Sequence, residues 1–270
     1  MSNLVVVGVD GSATSLTAVE GAAAAAARRR AKLRVVHAEV PIKPRYMVPD
    51  PASGTLVHEA AAHAVAVAPD VAVTMAVVTG DVVHVLEAQS RAAGLMVVGS
   101  RGVGGVLGVL LGSTPVSLAA RSRCPVMTVR EDYRTSAETG PVVLGVDGSP
   151  DSDEAIDVAC AEAAQRQADL VTVHAWQPDK ATSSTAPPPA ARALAQAIAD
   201  RTDTCPDTIV RHDLVDGKPH EVLIEASKTA QLVVVGARGR RGIAGLLLGS
   251  VSQALMTHAH CPVVTVRRTT

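Results

Sequence analysis

Short apolar runs of strand length alternate along the chain with longer stretches of helical pattern. Residues 4–9, 33–40, 71–78, 95–98 and 126–130 are rich in Val and Leu and are bounded by polar or glycine-containing segments, as buried strands are. Between them, an Ala-rich stretch predicts a helix over 15–30, and further helical patterns fall near 55–67, near 82–93 and from Ser113 onward. The order is βαβαβαβαβ. Strands that are apolar throughout, with no alternation, predict burial on both faces, as in a parallel sheet covered by helices. Right-handed crossovers then give a doubly wound α/β layer, whose ligands bind beyond the C-terminal strand ends where strand order reverses. The first and fourth strands end at Asp10 and Gly99.

The whole pattern occurs twice. Adding 137 to a residue number carries Gly8, Asp10, Gly11 and Ser12 onto Gly145, Asp147, Gly148 and Ser149. The same offset carries His37-Ala38 onto His174-Ala175, and Cys124-Pro125-Val126 onto Cys261-Pro262-Val263. A period this long predicts two tandem domains, since solenoid repeats run about 20 to 50 residues. They are expected at 1–132 and 141–270, with a polar linker at 133–140.

The chain has 270 residues, 47% hydrophobic and 19% charged, enough apolar surface to offset chain ordering and exclude disorder as the main state. Its 25 basic and 26 acidic residues give a formal charge of -1, so no net field draws it to nucleic acid or anionic lipid. Phe is absent and the aromatic residues are Tyr46, Tyr133 and Trp176, which nearly excludes base stacking on aromatic platforms. Four cysteines without CxxC spacing give neither a zinc knuckle nor a thioredoxin motif, and reduced thiols are expected. The N-terminus lacks a basic leader, and its apolar run is too short for a signal peptide. Residues 102–120 are uncharged over a bilayer-spanning length, but contain five glycines and Pro115, while the equivalent stretch carries Arg240 and Arg241. A cytoplasmic protein with no membrane partner is expected.

The chemistry concentrates after the fourth strand of each copy. Gly99, Gly102, Gly112 and Ser113 fit G-x2-G-x9-G-S, and Gly236, Gly239, Gly249 and Ser250 repeat it. Glycine lets the backbone approach an oxyanion without a Cβ, and a following helix N-terminus aims N–H groups and positive dipole at it. A phosphate site is predicted in each copy, with Ser113 and Ser250 placed to cap the helix, bind phosphate or face Mg²⁺. No G-x4-G-K-[ST] is present, and no G-x-G-x-x-G follows the first strand, which excludes the usual P-loop and dinucleotide fingerprints. His37 and His174 lie at the end of the second strand without a carboxylate or Cys partner at ligand spacing, and are read as structural.

The VGVDGS strand end, the His-Ala pair, the glycine loop and the Cys-Pro-Val before the last strand together resemble the universal stress proteins, specifically tandem members of the ATP-binding branch. The resemblance spans 4–130 and 141–267. It implies two doubly wound five-stranded parallel-sheet domains of order 3-2-1-4-5, adenine nucleotide alpha hydrolase-like. It also implies ATP with Mg²⁺: Asp10 and Asp147 near ribose or metal beside Gly8 and Gly145, and the backbone of Ala38 and Ala175 against adenine. Phosphates would lie along Gly99, Gly102, Gly112 and Ser113, and along Gly236, Gly239, Gly249 and Ser250, with Gly105 and Gly242 in the same loops. Arg101 and Arg238 are candidate phosphate contacts from position and charge. The metal would lie near Asp10 and Ser113 in the first copy and near Asp147 and Ser250 in the second.

By resemblance, the function is regulation of survival or growth under stress through nucleotide-dependent conformation and contacts with a protein partner. A homo-oligomer through the last strand, or an intramolecular domain pair, is the family expectation. Two other readings stay open: a slow ATPase or phosphoryl- or adenylyl-transfer enzyme, and a chaperone-like scaffold whose glycine loops only make turns. Arg240 and Arg241 replace Val103 and Gly104, and Val251-Ser252 replaces Thr114-Pro115. The two sites are therefore expected to differ in affinity or salt dependence.

Overall fold

Each apolar run becomes a strand and each helical pattern a helix in the computed structural model, which describes residues 2–40, 51–102, 111–131, 139–177, 187–202, 205, 207–240 and 248–268. The chain divides into two units, Met1–Asp132 and Tyr133–Thr270. The first runs β1 (Leu4–Gly8), α1 (Ala13–Arg29), β2 (Lys32–Glu39), α2 (Pro51–Val67), β3 (Val73–Thr79), α3 (Val82–Ser90), β4 (Leu95–Gly99), α4 (Ser113–Arg121) and β5 (Val126–Val129). The second repeats it as β6 (Val142–Gly145), α5 (Pro150–Arg166), β7 (Leu170–Trp176), α6 (Pro189–Thr202), β8 (Val210–Asp216), α7 (Pro219–Ala226), β9 (Leu232–Gly236), α8 (Ser250–His258) and β10 (Val263–Val266). Strand order is β3-β2-β1-β4-β5 in the first unit and β8-β7-β6-β9-β10 in the second. The strand pairings within each unit are all parallel.

Sequence explains the central strands directly. Val5, Val6, Val7, Leu33, Val35, Leu95, Met96 and Val97 are almost wholly buried, as two-sided burial requires. Small residues let α1 lie close on the sheet: Ala18, Ala22, Ala23 and Ala26 are inaccessible. Ser12 starts this helix by accepting the Ser15 N–H, and Arg30 ends it in the left-handed region at φ 50°. Ser149 and Gln167 (φ 53°) do the same for α5.

Three expectations change. β3 reads as apolar, yet Met75 and Val77 are exposed, because the strand forms the edge of its sheet. The helix α2 begins at Pro51, ahead of the pattern predicted near 55–67, and α6 likewise begins at a proline, Pro189; a proline's fixed φ and missing N–H suit the first helical position. The thiols are not all reduced: Cys160 and Cys205 are disulfide-bonded, with Cα atoms 5.5 Å apart. Cys124 and Cys261 are free, and burial pushes both thiols up to about 12. Among the described residues, no helix is long and apolar enough to cross a membrane.

Candidate functional site

The site of the first unit forms where β1 and β4, neighbours in the sheet, send their following segments to opposite sides. This is the crevice where ligands enter doubly wound folds. Its lining includes Gly8, Asp10, Ala38, Gly99, Arg101, Gly102 and Gly112. His37, Thr114 and Pro115 line it as well.

Asp10 organises the turn after β1. Its Oδ1 accepts the Ser12 N–H at 3.0 Å and the Ser12 hydroxyl at 2.6 Å. Gly11 between them has φ +85°, a conformation that a side chain disfavours. The second copy repeats the turn: Asp147 Oδ1 accepts the Ser149 N–H at 3.0 Å, with Gly148 at φ +74°. Leu56 of α2 and Leu194 of α6 pack against these glycines from outside, leaving little room for a Cβ.

The glycine loop meets that aspartate. A Cβ on Gly102 would collide with Asp10 Oδ2, and one on Gly239 would come within 2.6 Å of Asp147 Oδ2. In the second copy the same Oδ2 accepts the Arg240 N–H at 2.9 Å. Each carboxylate therefore reaches from the β1-type turn to the glycine turn, and a Cβ there would push it aside. Gly99 and Gly236 answer another constraint: added Cβ atoms would meet the first turns of α1 and α5, at Thr14 and at Asp151-Ser152. Gly8 and Gly145 make room for Leu86 and Leu223.

Both loops return to a helix start. The Gly112 N–H donates to Ser100 O and the Gly249 N–H to Ala237 O, both at 2.8 Å. Gly112 and Gly249 hold the N-cap positions in extended backbone, and neither helix has a side-chain cap. The expected capping by Ser113 and Ser250 is thus not found; they are the first helical residues, and both are exposed. First-turn amides without a side-chain acceptor suit an external anion.

His37 and His174 have a structural job. The Nδ1 of His37 lies 2.8 Å from Val9 O, and that of His174 lies 2.9 Å from Val146 O. A carbonyl only accepts, so Nδ1 carries the proton and the ring ties the end of the first strand to the second. Arg101 and Arg238 are exposed at the loop. Arg101 lies 3.7 Å from Glu131, and Arg238 lies 3.6 Å from Asp151. Ala38 and Ala175 stand half-buried near the ends of β2 and β7. Gly105 and Gly242 lie outside the described residues.

Sequence reasoning missed the polar staples beneath the loops. Thr14 donates its hydroxyl to Arg101 O at 2.6 Å. At the equivalent place the Asp151 carboxylate accepts the Arg238 N–H at 3.0 Å and the Arg268 N–H at 3.1 Å, while the Ser149 hydroxyl donates to Arg238 O at 3.0 Å. The available signal was the offset of 137, which sets Thr14 against Asp151 in otherwise matching turns. No cluster of three or more His, Cys, Asp or Glu side chains able to hold a metal occurs among the described residues.

Comparison with known proteins agrees with this fold. Residues 1–130 and 138–267 each match the universal stress protein family. One universal stress protein of Mycobacterium tuberculosis is 36% identical over 97% of this chain and 94% of its own length. A second from that organism is 35% identical over 98% of this chain and 97% of its own. Among solved structures, a universal stress protein from Archaeoglobus fulgidus superposes over all of both chains with a TM-score of 0.73 at 18% identity.

Proposed function

Because the chain belongs to the universal stress protein family, whose membership supports a stress-related role, we propose that it is an ATP-binding regulator with one nucleotide site per unit. The observation that carries this reading is the doubled glycine turn. Each copy presses an otherwise crowded glycine against an aspartate and leads into a helix start without a side-chain cap. That arrangement suits a phosphate chain beside a ribose. Gly99, Gly102, Gly112 and Ser113 would face the phosphates in the first unit, and Gly236, Gly239, Gly249 and Ser250 in the second. Asp10 and Asp147 would face the ribose, and the main chain at Ala38 and Ala175 would face the base.

The donor set fits Mg²⁺ only as a passenger of the nucleotide. One carboxylate and one serine per copy cannot cage the ion, which commonly keeps several waters and binds through phosphates. Occupancy would bias the conformation of the loops, by no more than the difference in affinity between the states. Partner contacts and cytoplasmic stress regulation would be read from that bias. His37 and His174 use their Nδ1 protons to tie strand ends, which fixes the tautomer and leaves Nε2 as the ring's acceptor. The glycine turns and uncapped helix starts are features of a binding site.

The test is extraction of nucleotide from the purified chain, followed by calorimetric titration with ATP and Mg²⁺. Two sites per chain are expected, both lost in the Gly102→Ala, Gly239→Ala double variant. No bound nucleotide and no heat of binding would overturn the proposal.

A further inference from the structure

The disulfide has no counterpart in the first unit. Subtracting 137 from Cys160 and Cys205 gives Ala23 and Ala68, both buried. No covalent link is possible between them. In the second unit the bond ties α5 to the segment just after α6.

That helix needs the tie more than α2 does. It buries Ala191, Ile198 and Thr202, whereas α2 buries Ser53, Val57, Ala60, Ala61 and Ala64. A polar link from α6 to α5 runs through Arg201, 3.2 Å from Asp153 and 3.9 Å from Asp157, all largely exposed. Exposed pairs of this kind hold little. Yet α6 carries Leu194, the side chain resting on Gly148 in the turn after β6.

Cys160 and Cys205 are both half-buried, within reach of a small reagent. The other two cysteines differ: burial holds their thiols at about 12, so few thiolates form there to attack anything.

We propose that Cys160 and Cys205 are a thiol–disulfide exchange site for small disulfides such as oxidised glutathione, and that its bond seats α6 against α5 and the Gly148 turn. One protein thiolate attacks a sulfur of the reagent, forming a mixed disulfide and releasing one glutathione thiolate. The second protein thiolate then displaces the other glutathione. Two protein thiols give up two electrons and two protons, and one oxidised glutathione becomes two reduced ones. The clamp itself is independent of nucleotide. Its consequence, a second site that loosens on reduction while the first does not, rests on the function proposed above.

The full chain is equilibrated with oxidised glutathione or with reduced glutathione in excess, then unfolded and alkylated, and the modified cysteines are mapped by mass spectrometry. Hydrogen exchange is followed in α6 and α2 of the same samples. We expect Cys160 and Cys205 to be protected after oxidation and alkylated after reduction. Reduction should speed exchange in α6 on the order of tenfold and leave α2 unchanged. Alkylation of both cysteines after oxidation, or equal α6 exchange in the two states, would overturn the proposal. The Cys160→Ala, Cys205→Ala variant installs the first unit's residues and should exchange like the reduced protein in both buffers; exchange that still follows the buffer also overturns it. ATP titration is run alongside. Failure to bind in either state strikes the nucleotide reading and leaves the thiol and exchange results to decide the clamp.

Discussion

The two units hold the same loop with opposite polarity. Beneath the first glycine turn a neutral hydroxyl, Thr14, gives its proton to the Arg101 carbonyl. Beneath the second, the Asp151 carboxylate, 7% exposed, takes the Arg238 and Arg268 N–H groups. Serine is rewired to match: Ser12 gives its hydroxyl proton to Asp10, whereas Ser149 gives its own to the Arg238 carbonyl. The arginines follow suit. Arg101 faces a largely exposed Glu131, a pair worth little, and Arg238 faces a buried carboxylate. What repeats without change is glycine, because a missing Cβ has no substitute at a close approach. Polar staples can be exchanged, provided that each donor still finds an acceptor.

The largest effect that would sharpen this contrast lies away from the loops. A cross-link with a sequence separation of 45 stabilises by about 4 kcal/mol in the chain-entropy model. The Cys160→Ala, Cys205→Ala variant should lose up to that amount in the second unit under oxidising conditions, and nothing in dithiothreitol. Urea unfolding of oxidised and reduced samples, resolved by unit through hydrogen exchange, measures it. Equal losses in both buffers would erase the asymmetry.

Next come the glycines themselves. Gly102→Ala or Gly239→Ala alone should weaken ATP at its own site on the order of 100-fold, about 3 kcal/mol, and spare the other. Calorimetric stoichiometry should fall from two to one, and a single variant that empties both sites would end the description as two separable copies. Exchanging the staples should cost less. Asp151→Thr leaves two amides without their charged acceptor, an expected loss of about 2 kcal/mol in the second unit. Thr14→Asp sets a carboxylate against the Arg101 carbonyl and should cost a similar amount in the first. Urea melts of both variants check this, and a neutral Thr14→Asp would show the two frames to be interchangeable. Smallest is the effect of salt. With Arg240 and Arg241 where the first copy has Val103 and Gly104, raising ionic strength should weaken the second site a few-fold more than the first, because screening acts on exposed charge. Parallel titrations of ATP into the two single-glycine variants read the difference.

Most of the architecture was legible in the chain because its signals are local. Uninterrupted Val and Leu runs mark central parallel strands, and the Ala-rich stretch at 15–30 marks the helix that follows the first of them. The edge strand β3 was harder: its valines and Met75 look like core, and exposure depends on what lies beyond the strand. Capping by Ser113 and Ser250 failed by one residue, since Gly112 and Gly249 already take the extended cap conformation. The bond between Cys160 and Cys205 has no motif spacing, and becomes visible only when both are set against Ala23 and Ala68. The contact of Asp10 with Gly102 joins residues that only the sheet brings together, so sequence could place both near a ligand without showing that they touch.

A resident oxyanion already sits on one glycine turn: the Asp147 carboxylate accepts the Arg240 N–H. An incoming phosphate at that amide would replace it, and measured affinity would report an exchange, net of what Asp147 surrenders. Tightening such a site means making the resident easier to evict, not adding more donors for the guest.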